Sequence, residues 1–140
     1  MPDISEPPQK ALILARVSSR KQEKEGASLD VQVARCREVC KREGIEVIKT
    51  ERITKNSMSA GPDVLSAIIL AMNMGANVVM VSDLDRLSRE PYLLFLWEKV
   101  LHMLGMKRMS AHGKLDTSEE TGFYAFSFAV LTASAEKRRI

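Results

Sequence analysis

A serine and several arginines stand at the ends of two apolar stretches of the sequence. Ser18 directly follows an apolar run that contains Arg16, and Arg86 and Arg89 follow a second apolar run. Serine supplies an oxygen nucleophile when neighbouring groups activate it, and arginine pairs bidentately with phosphate and stays charged at any working pH. These residue types therefore suit attack on a phosphate ester. Taken singly, a serine after a strand is more often a turn or cap residue, and exposed arginines more often form ordinary surface ion pairs.

The elements that carry these residues follow from the pattern of apolar and polar positions. Apolar runs closed by polar residues predict strands, and these cover 11–17, 45–50, 77–82 and 106–111. Amphipathic segments predict helices, which begin near Leu29, Pro62, Pro91 and Ser118, the last being a long helix that reaches Ile140. Strands that alternate with helices predict a three-layer α/β domain with a mainly parallel sheet and helices on both faces.

Two of the predicted strands bring the polar residues to one place. In parallel sheets, functional residues gather at the carboxyl ends of the strands. Ser18 follows the first predicted strand and Asp85 follows the third, so we expect both at the same edge of the sheet. Arg16 lies two residues before Ser18, so the two side chains are expected to leave the strand on the same face. Arg86 and Arg89 would add two guanidinium groups from the neighbouring strand end, and Asp85 would orient one of them.

Length and charge indicate one domain that can meet a polyanion. The chain has 140 residues, close to the common size of a single domain, and 21 Lys and Arg against 18 Asp and Glu give a net charge of +3. This mild excess permits contact with a nucleic acid without requiring it. The basic residues are concentrated in two stretches, which we expect to contact phosphates: Arg35, Arg37, Lys41 and Arg42, and then Lys137, Arg138 and Arg139.

Several classes of protein are not indicated. Cys36 and Cys40 are four residues apart in a predicted helix, a spacing that rarely forms a disulfide, and no zinc-type spacing joins them to His102 or His112. We therefore expect no metal. No apolar run reaches the ~20 residues of a membrane-spanning helix, so we expect a cytoplasmic protein, with a disordered leader over 1–10. Methionines in or beside apolar segments are interpreted as core residues, namely Met72, Met74, Met80, Met103, Met106 and Met109.

Three blocks of sequence are more specific than any single residue. The first is ARVSSRKQ at 15–22 with GASLDVQ at 26–32, the second is DLDRLSR at 83–89, and the third is AEKRRI at 135–140. Together, and in this order, they resemble the resolvase/invertase family of serine recombinases. The resemblance implies a resolvase-like catalytic domain over 11–140 that ends within a long C-terminal dimerisation helix, with a DNA-binding domain outside this chain.

The resemblance also implies a reaction and the residues that perform it. The implied protein is a site-specific recombinase that cuts DNA with a serine hydroxyl, forms a 5′-phosphoserine link, exchanges strands and reseals them without metal, cofactor or ATP. Its implied partners are double-stranded DNA and copies of itself, as a homodimer that assembles to a tetramer. The implied catalytic residues are Ser18, Arg16, Asp85, Arg86 and Arg89, with Gln22 and Gln32 as supporting polar contacts. The implied DNA-binding residues are Arg20, Lys21, Lys137, Arg138 and Arg139.

One part of the family pattern is missing. The family usually has a further catalytic arginine just before the helix that Pro62 opens, where this chain has Gly61, and no arginine occurs between Arg52 and Arg86. Arg52 or Lys55 can offer a nearby charge, although a lysine offers a point charge in place of a fork. The alternative function is therefore a catalytically impaired relative that acts as a DNA-binding or regulatory subunit. An unrelated α/β phosphate-binding or hydrolase domain is disfavoured, since the sequence has no glycine-rich phosphate loop and no Gly-x-Ser-x-Gly motif.

Overall fold

The computed structural model describes residues 7–19, 28–56, 58–83, 86–87 and 90–111 of the chain. Strands and helices alternate along these residues. The strands are β1 (Lys10–Val17), β2 (Glu46–Thr54), β3 (Val78–Val81) and β4 (Lys107–Ser110). The helices are α1 (Leu29–Glu43), α2 (Gly61–Asn73) and α3 (Pro91–Met103). Within these described ranges, no helix is long and apolar enough to cross a membrane.

The strands form one sheet in the order β2-β1-β3-β4, and all of their pairings are parallel. β1 lies between two neighbours, so that its Ile13 is opposite Thr50 of β2 and Met80 of β3. β3 pairs in turn with β4, with Val79 opposite Arg108. The predicted parallel sheet of an α/β domain is confirmed. Because all these strands run in the same direction, their carboxyl ends share one edge.

Helices cover both faces of the sheet, and β1 shows this through the alternation of its residues. The odd-numbered residues from Ala11 to Val17 are buried in one cluster with apolar residues of α1. The even-numbered Leu12 and Leu14 are buried in a second cluster with residues of α2 and α3. Burial on both faces explains why the sequence of β1 is a continuous apolar run. The described part of the chain therefore has three layers, with α1 on one face and α2 and α3 on the other.

Local signals set the helix boundaries and hence the starts of the loops. The Ser28 side chain accepts a hydrogen bond from the Val31 N–H (3.2 Å) and caps the start of α1. Gly44 ends α1 in the left-handed conformation (φ 71°), which glycine adopts without steric cost. Pro62 lies in the first turn of α2, and Pro91 is the first residue of α3. These three predicted helices agree with the structure to within one residue.

The second strand is longer than its sequence suggests. β2 continues to Thr54, beyond the predicted end at Thr50, because Glu51–Thr54 pair in register with Leu14–Val17 of β1. The extension is polar except for the buried Ile53, and most residues of β2 are only partly buried because the strand lies at the edge of the described sheet. The end of the apolar run therefore did not predict where β2 ends. The longer strand brings the following residue, Lys55, to the edge where β1 ends.

The methionine interpretation holds only in part. Met80 and Met106 are buried, but Met74 and Met103 are exposed, so the prediction that they belong to the core is wrong. Met74 caps the end of α2 and Met103 is the last residue of α3, so both lie at helix ends and outside the buried stripes of these helices. The predicted helix from Ser118 onward and residues 1–6 of the predicted leader lie outside the described residues.

Candidate active site

Polar residues from three loops lie at the carboxyl edge of the sheet. Ser18 follows β1 and is partly exposed, Lys55 follows β2, and Asp83 and Arg86 follow β3. This grouping is a consequence of topology, because β1 lies between β2 and β3 and all three strands run in the same direction. Ser18, the predicted nucleophile, therefore lies between two neighbouring strand ends, and each of them is followed by a basic residue.

Arg16 links two of these loops. Its Nε–H donates to the carbonyl oxygen of Arg86 and its Nη1 donates to the carbonyl oxygen of Lys55, both at 3.0 Å. The residue is only 2% exposed. The sequence suggested a guanidinium that reaches towards a bound phosphate, whereas here the group is directed to loop carbonyls. In this arrangement Arg16 holds the loops after β2 and β3 together and places a buried positive charge two residues from Ser18.

Gln32 joins α1 to the end of β1. Its Oε1 accepts a hydrogen bond from the Arg16 N–H (3.0 Å), and its Nε2 donates to the Arg16 carbonyl oxygen (3.0 Å). The side chain is fully buried. A carboxamide has both the donor and the acceptor that a main-chain residue needs, which explains a glutamine here among the apolar residues of α1. Gln32 thereby fixes the backbone just before Ser18.

Arg86 is oriented by a carboxylate that was not among the predicted site residues. Its Nε lies 3.5 Å from Asp83 Oδ2, and its Nη1 donates to the Arg16 carbonyl oxygen at 3.4 Å. Asp83 Oδ2 also accepts a hydrogen bond from Ser82 Oγ (3.3 Å). The sequence analysis gave the orienting role to Asp85, which lies outside the described residues. The three-residue spacing between Asp83 and Arg86 was the available signal for this pair.

Two ion pairs at the end of β2 lie on opposite faces of the sheet. Arg52 Nε is 3.4 Å from Asp30 Oδ1, in the first turn of α1. Lys55 Nζ is 2.6 Å from Asp63 Oδ2, in the first turn of α2. Since α1 and α2 cover opposite faces, Arg52 is directed to the α1 face, away from the face that Arg16 shares with α2. Of the two substitute cations considered from the sequence, Lys55 has the better position.

Gly61, where the family pattern has an arginine, is the first residue of α2. A Cβ atom built on this glycine meets no atom within 4 Å. Its backbone is not in the left-handed region, in contrast to Gly44. Neither the space around a Cβ atom nor the backbone at this position therefore requires a glycine.

The two cysteines are buried thiols and not candidate nucleophiles. Burial raises the pKa of Cys36 to about 12, with smaller contributions from Cys40 and Asp83, and burial also raises the pKa of Cys40. Both thiols are free. Thiols with raised pKa values stay protonated at neutral pH, and the protonated form is a poor nucleophile and metal ligand. Nor do the described residues contain a group of three or more His, Cys, Asp or Glu side chains that could hold a metal ion.

Residues 11–140 match the family model for the resolvase N-terminal domain. The match begins in β1 and includes every described helix and the whole proposed edge. The chain belongs to the resolvase family of serine recombinases. It corresponds to the N-terminal catalytic domain of that family. A comparison with curated proteins gives no match.

Three solved structures are similar to this resolvase domain. The N-terminal catalytic domain of TP901-1 integrase has a TM-score of 0.75 and 26% sequence identity, covering 94% of this chain and 98% of that one. A resolvase family site-specific recombinase from Streptococcus pneumoniae has a TM-score of 0.71 and 19% identity, covering 94% and 91%. The C-terminal catalytic domain of ISC1926 TnpA, an IS607-like serine recombinase, has a TM-score of 0.63 and 21% identity, covering 91% and 84%. The last two similarities concern the fold alone.

The described part of the resolvase domain contains only some of the predicted site residues. Those described are Ser18, Arg16, Gln32 and Arg86. Those outside the described residues are Asp85, Arg89, Gln22, Arg20, Lys21, Lys137, Arg138 and Arg139. In the first basic stretch, which lies in α1, the side chains are exposed, as a phosphate contact requires: Arg35, Arg37, Lys41 and Arg42.

Proposed function

We propose that this chain cuts and rejoins DNA at a specific site, with Ser18 as the nucleophile. The observation that best supports this is the position of Arg16, whose guanidinium joins the loops after β2 and β3 at the edge where Ser18 follows β1. Membership of the resolvase family indicates DNA as the substrate. The edge then combines a hydroxyl with the positive charges of Arg16, Arg86 and Lys55, which suit the negative charge of a reacting phosphodiester.

The proposed reaction is an exchange of phosphate esters. The Ser18 Oγ forms a bond to phosphorus as the bond from phosphorus to the 3′ oxygen breaks. The serine hydroxyl loses its proton, and the departing 3′ oxygen gains one and leaves as a hydroxyl. After strand exchange, the 3′ hydroxyl of another strand attacks the 5′-phosphoserine and releases the serine. Each step replaces one phosphoester by another, so the sequence of steps needs no ATP.

The described residues have different proposed roles in this reaction. Arg16 and Gln32 are positioning residues, since both are buried and hold the loops and the end of β1. Arg86 is oriented by Asp83, its side chain is 14% exposed, and its proposed role is to contact the phosphate. Three further catalytic positions remain predictions from the resemblance, and these are Asp85, Arg89 and Gln22.

We further propose that the domain acts in the cytoplasm on double-stranded DNA, as a homodimer that assembles to a tetramer. The helix predicted from Ser118 carries an apolar stripe with the spacing of one helix face, formed by Phe123, Phe126, Val130 and Ala133. Such a stripe suits packing between two copies of the helix. The proposed contacts to the DNA backbone come from Arg20, Lys21, Lys137, Arg138 and Arg139.

Gly61 supports a second candidate function. A glycine at this position brings no charge to the edge, and each well-placed donor to a transition state typically contributes about 2.7–4 kcal/mol. A domain short of one donor retains its fold and its affinity for DNA but cuts slowly. On this alternative, the protein is a DNA-binding or regulatory subunit of a recombination complex.

A nicked DNA duplex that contains the crossover site separates the two functions. The nick lets one cleaved fragment leave, so the covalent protein–DNA adduct accumulates and is measured on a denaturing gel. Wild type should form the adduct and Ser18→Ala should not. Ser19→Ala is the matched control, because Ser19 is the exposed serine next in the chain, and it should behave as wild type. A protein that binds the duplex but never forms a Ser18-dependent adduct would be a regulatory subunit and not an active recombinase.

A further inference from the structure

Lys55 has a fixed backbone and an exposed side chain beside the proposed active site. Its carbonyl oxygen accepts the hydrogen bond from Arg16 Nη1 (3.0 Å), so its main chain is held against the buried guanidinium. Its ammonium group lies 2.6 Å from Asp63 Oδ2, and the two side chains are 51% and 42% exposed. The main chain of Lys55 is therefore anchored by Arg16, whereas the charge is on the exposed side chain. The side chain can change partner while the loop stays in place.

The described cations at this edge differ in how readily they can meet a phosphate. Arg16 is buried and donates to two loop carbonyls, and Arg86 is held by Asp83 and by the Arg16 carbonyl oxygen. Lys55 has an exposed carboxylate as its ion-pair partner. Exposed ion pairs contribute little to stability, so an incoming phosphate can replace such a carboxylate at small cost. The lysine ammonium also reorients easily on its flexible stem.

We propose that Lys55 is a phosphate-binding catalytic residue and that Asp63 holds its ammonium group until DNA replaces the carboxylate. This inference rests on the proposed DNA cleavage by Ser18. The ammonium pairs with a non-bridging oxygen of the scissile phosphate as its negative charge grows in the transition state. No proton is transferred in this contact. Before DNA binds, Asp63 is the partner of Lys55, and the incoming phosphate has to compete with this carboxylate.

The rate of adduct formation on the nicked duplex tests the cation. Lys55→Ala should slow the reaction by about 100-fold, the effect typical of losing one transition-state donor, and Lys55→Arg should restore most of the rate. Arg52→Ala is the matched control, since Arg52 is also ion-paired at the end of β2 but on the α1 face, and its rate should stay within about two-fold of wild type. A Lys55→Ala rate within two-fold of wild type overturns the proposal.

A second set of variants separates the loss of the cation from the exposure of its partner carboxylate. Asp63→Asn should speed adduct formation by up to about five-fold, the fold-change that matches one exposed ion pair, and Asp30→Asn should have no effect. The double variant Lys55→Ala/Asp63→Asn should remain slow. Recovery of the wild-type rate in the double variant would mean that Lys55 only neutralises Asp63, which overturns the phosphate contact.

DNA binding tests the same contact without cleavage. In a Ser18→Ala background, the logarithm of the affinity for the duplex falls linearly with the logarithm of salt concentration, with a slope of about −0.9 for each phosphate contact. Lys55→Ala should reduce that slope by about one contact, and an unchanged slope counts against the proposal. If wild type forms no adduct at all, the proposed cleavage fails, and the salt slope alone decides whether Lys55 binds phosphate. Thermal melting should be nearly unchanged for Lys55→Ala, because the main-chain bond to Arg16 remains.

Discussion

The hold of α1 on the end of β1 can be tested by replacing Gln32 with leucine. The change keeps the size of the side chain but removes both 3.0 Å hydrogen bonds to the Arg16 backbone. The buried Arg16 N–H then has no partner from residue 32, a loss that costs about 1–3 kcal/mol. The Arg16 carbonyl still accepts from Arg86 Nη1, so losing the second bond costs about 0.5–1 kcal/mol. Gln32→Leu should therefore lower the free energy of unfolding by about 1.5–4 kcal/mol.

Urea unfolding measures this loss directly. Trp97 is the single tryptophan of the chain. It lies in α3 and is buried in the cluster that α2 and α3 form on the sheet, so its fluorescence reports the folded state. Glu38→Leu is the control, since Glu38 is exposed on the same helix, and its effect should stay within about 0.5 kcal/mol. Gln32→Glu keeps the side-chain acceptor for the Arg16 N–H and loses the donor to the Arg16 carbonyl oxygen. A loss below about 0.5 kcal/mol for Gln32→Leu would show that the paired hydrogen bonds do not restrain the strand end.

Two further substitutions and two measurements on the cysteines test other parts of the domain. Gly61→Arg should raise the yield of covalent DNA adduct by up to about 100-fold, because it adds a donor at a position where a Cβ atom meets no neighbour within 4 Å; an equal yield would show that no donor is missing there. Cys36 and Cys40 should resist iodoacetamide at pH 8 until urea unfolds the domain, as read by mass spectrometry. Because folding raises the pKa of Cys36 from 9.0 to about 12, its contribution to stability holds below pH 9 and is lost as the pH rises towards 12, so the urea midpoint should fall over that range. Phe126→Glu with Val130→Glu should give a monomer by sedimentation, whereas an unchanged oligomer would mean that the helix packs on its own domain.

The sequence predicted most of the fold because β1 and β3 are buried on both faces. Such strands are continuous apolar runs, and glycine or proline marks the ends of the helices between them. β2 shows where this signal fails. Its last four residues, Glu51–Thr54, form a strand because they pair with β1. Only Ile53 among them is apolar and buried, and one apolar residue among polar ones does not predict a strand.

The candidate site was predictable in place but not in its contacts. Topology alone takes Ser18 and Arg86 to one edge. The Arg16 guanidinium donates to main-chain carbonyl oxygens. Every residue has such an acceptor, so the sequence does not indicate which residues are the partners. The role of Gln32 was easier to predict, since it is a polar residue three positions after Leu29 and directly before Val33, within the buried stripe of α1. A polar residue in such a stripe indicates a buried hydrogen-bond partner.

The hydrogen bonds of Arg16 also affect when the domain first becomes complete during its synthesis. They reach residues 39 and 70 positions further along the chain, at Lys55 and Arg86. A nascent chain emerging from the ribosome therefore exposes Ser18 long before the loop that contains Arg86 exists. Parallel strand pairing depends in the same way on distant segments, which makes it slow to form. Ser18 consequently stays without its full set of surrounding charges until β3 and its loop have been made, so an unfinished chain carries this hydroxyl outside the assembled edge of the sheet.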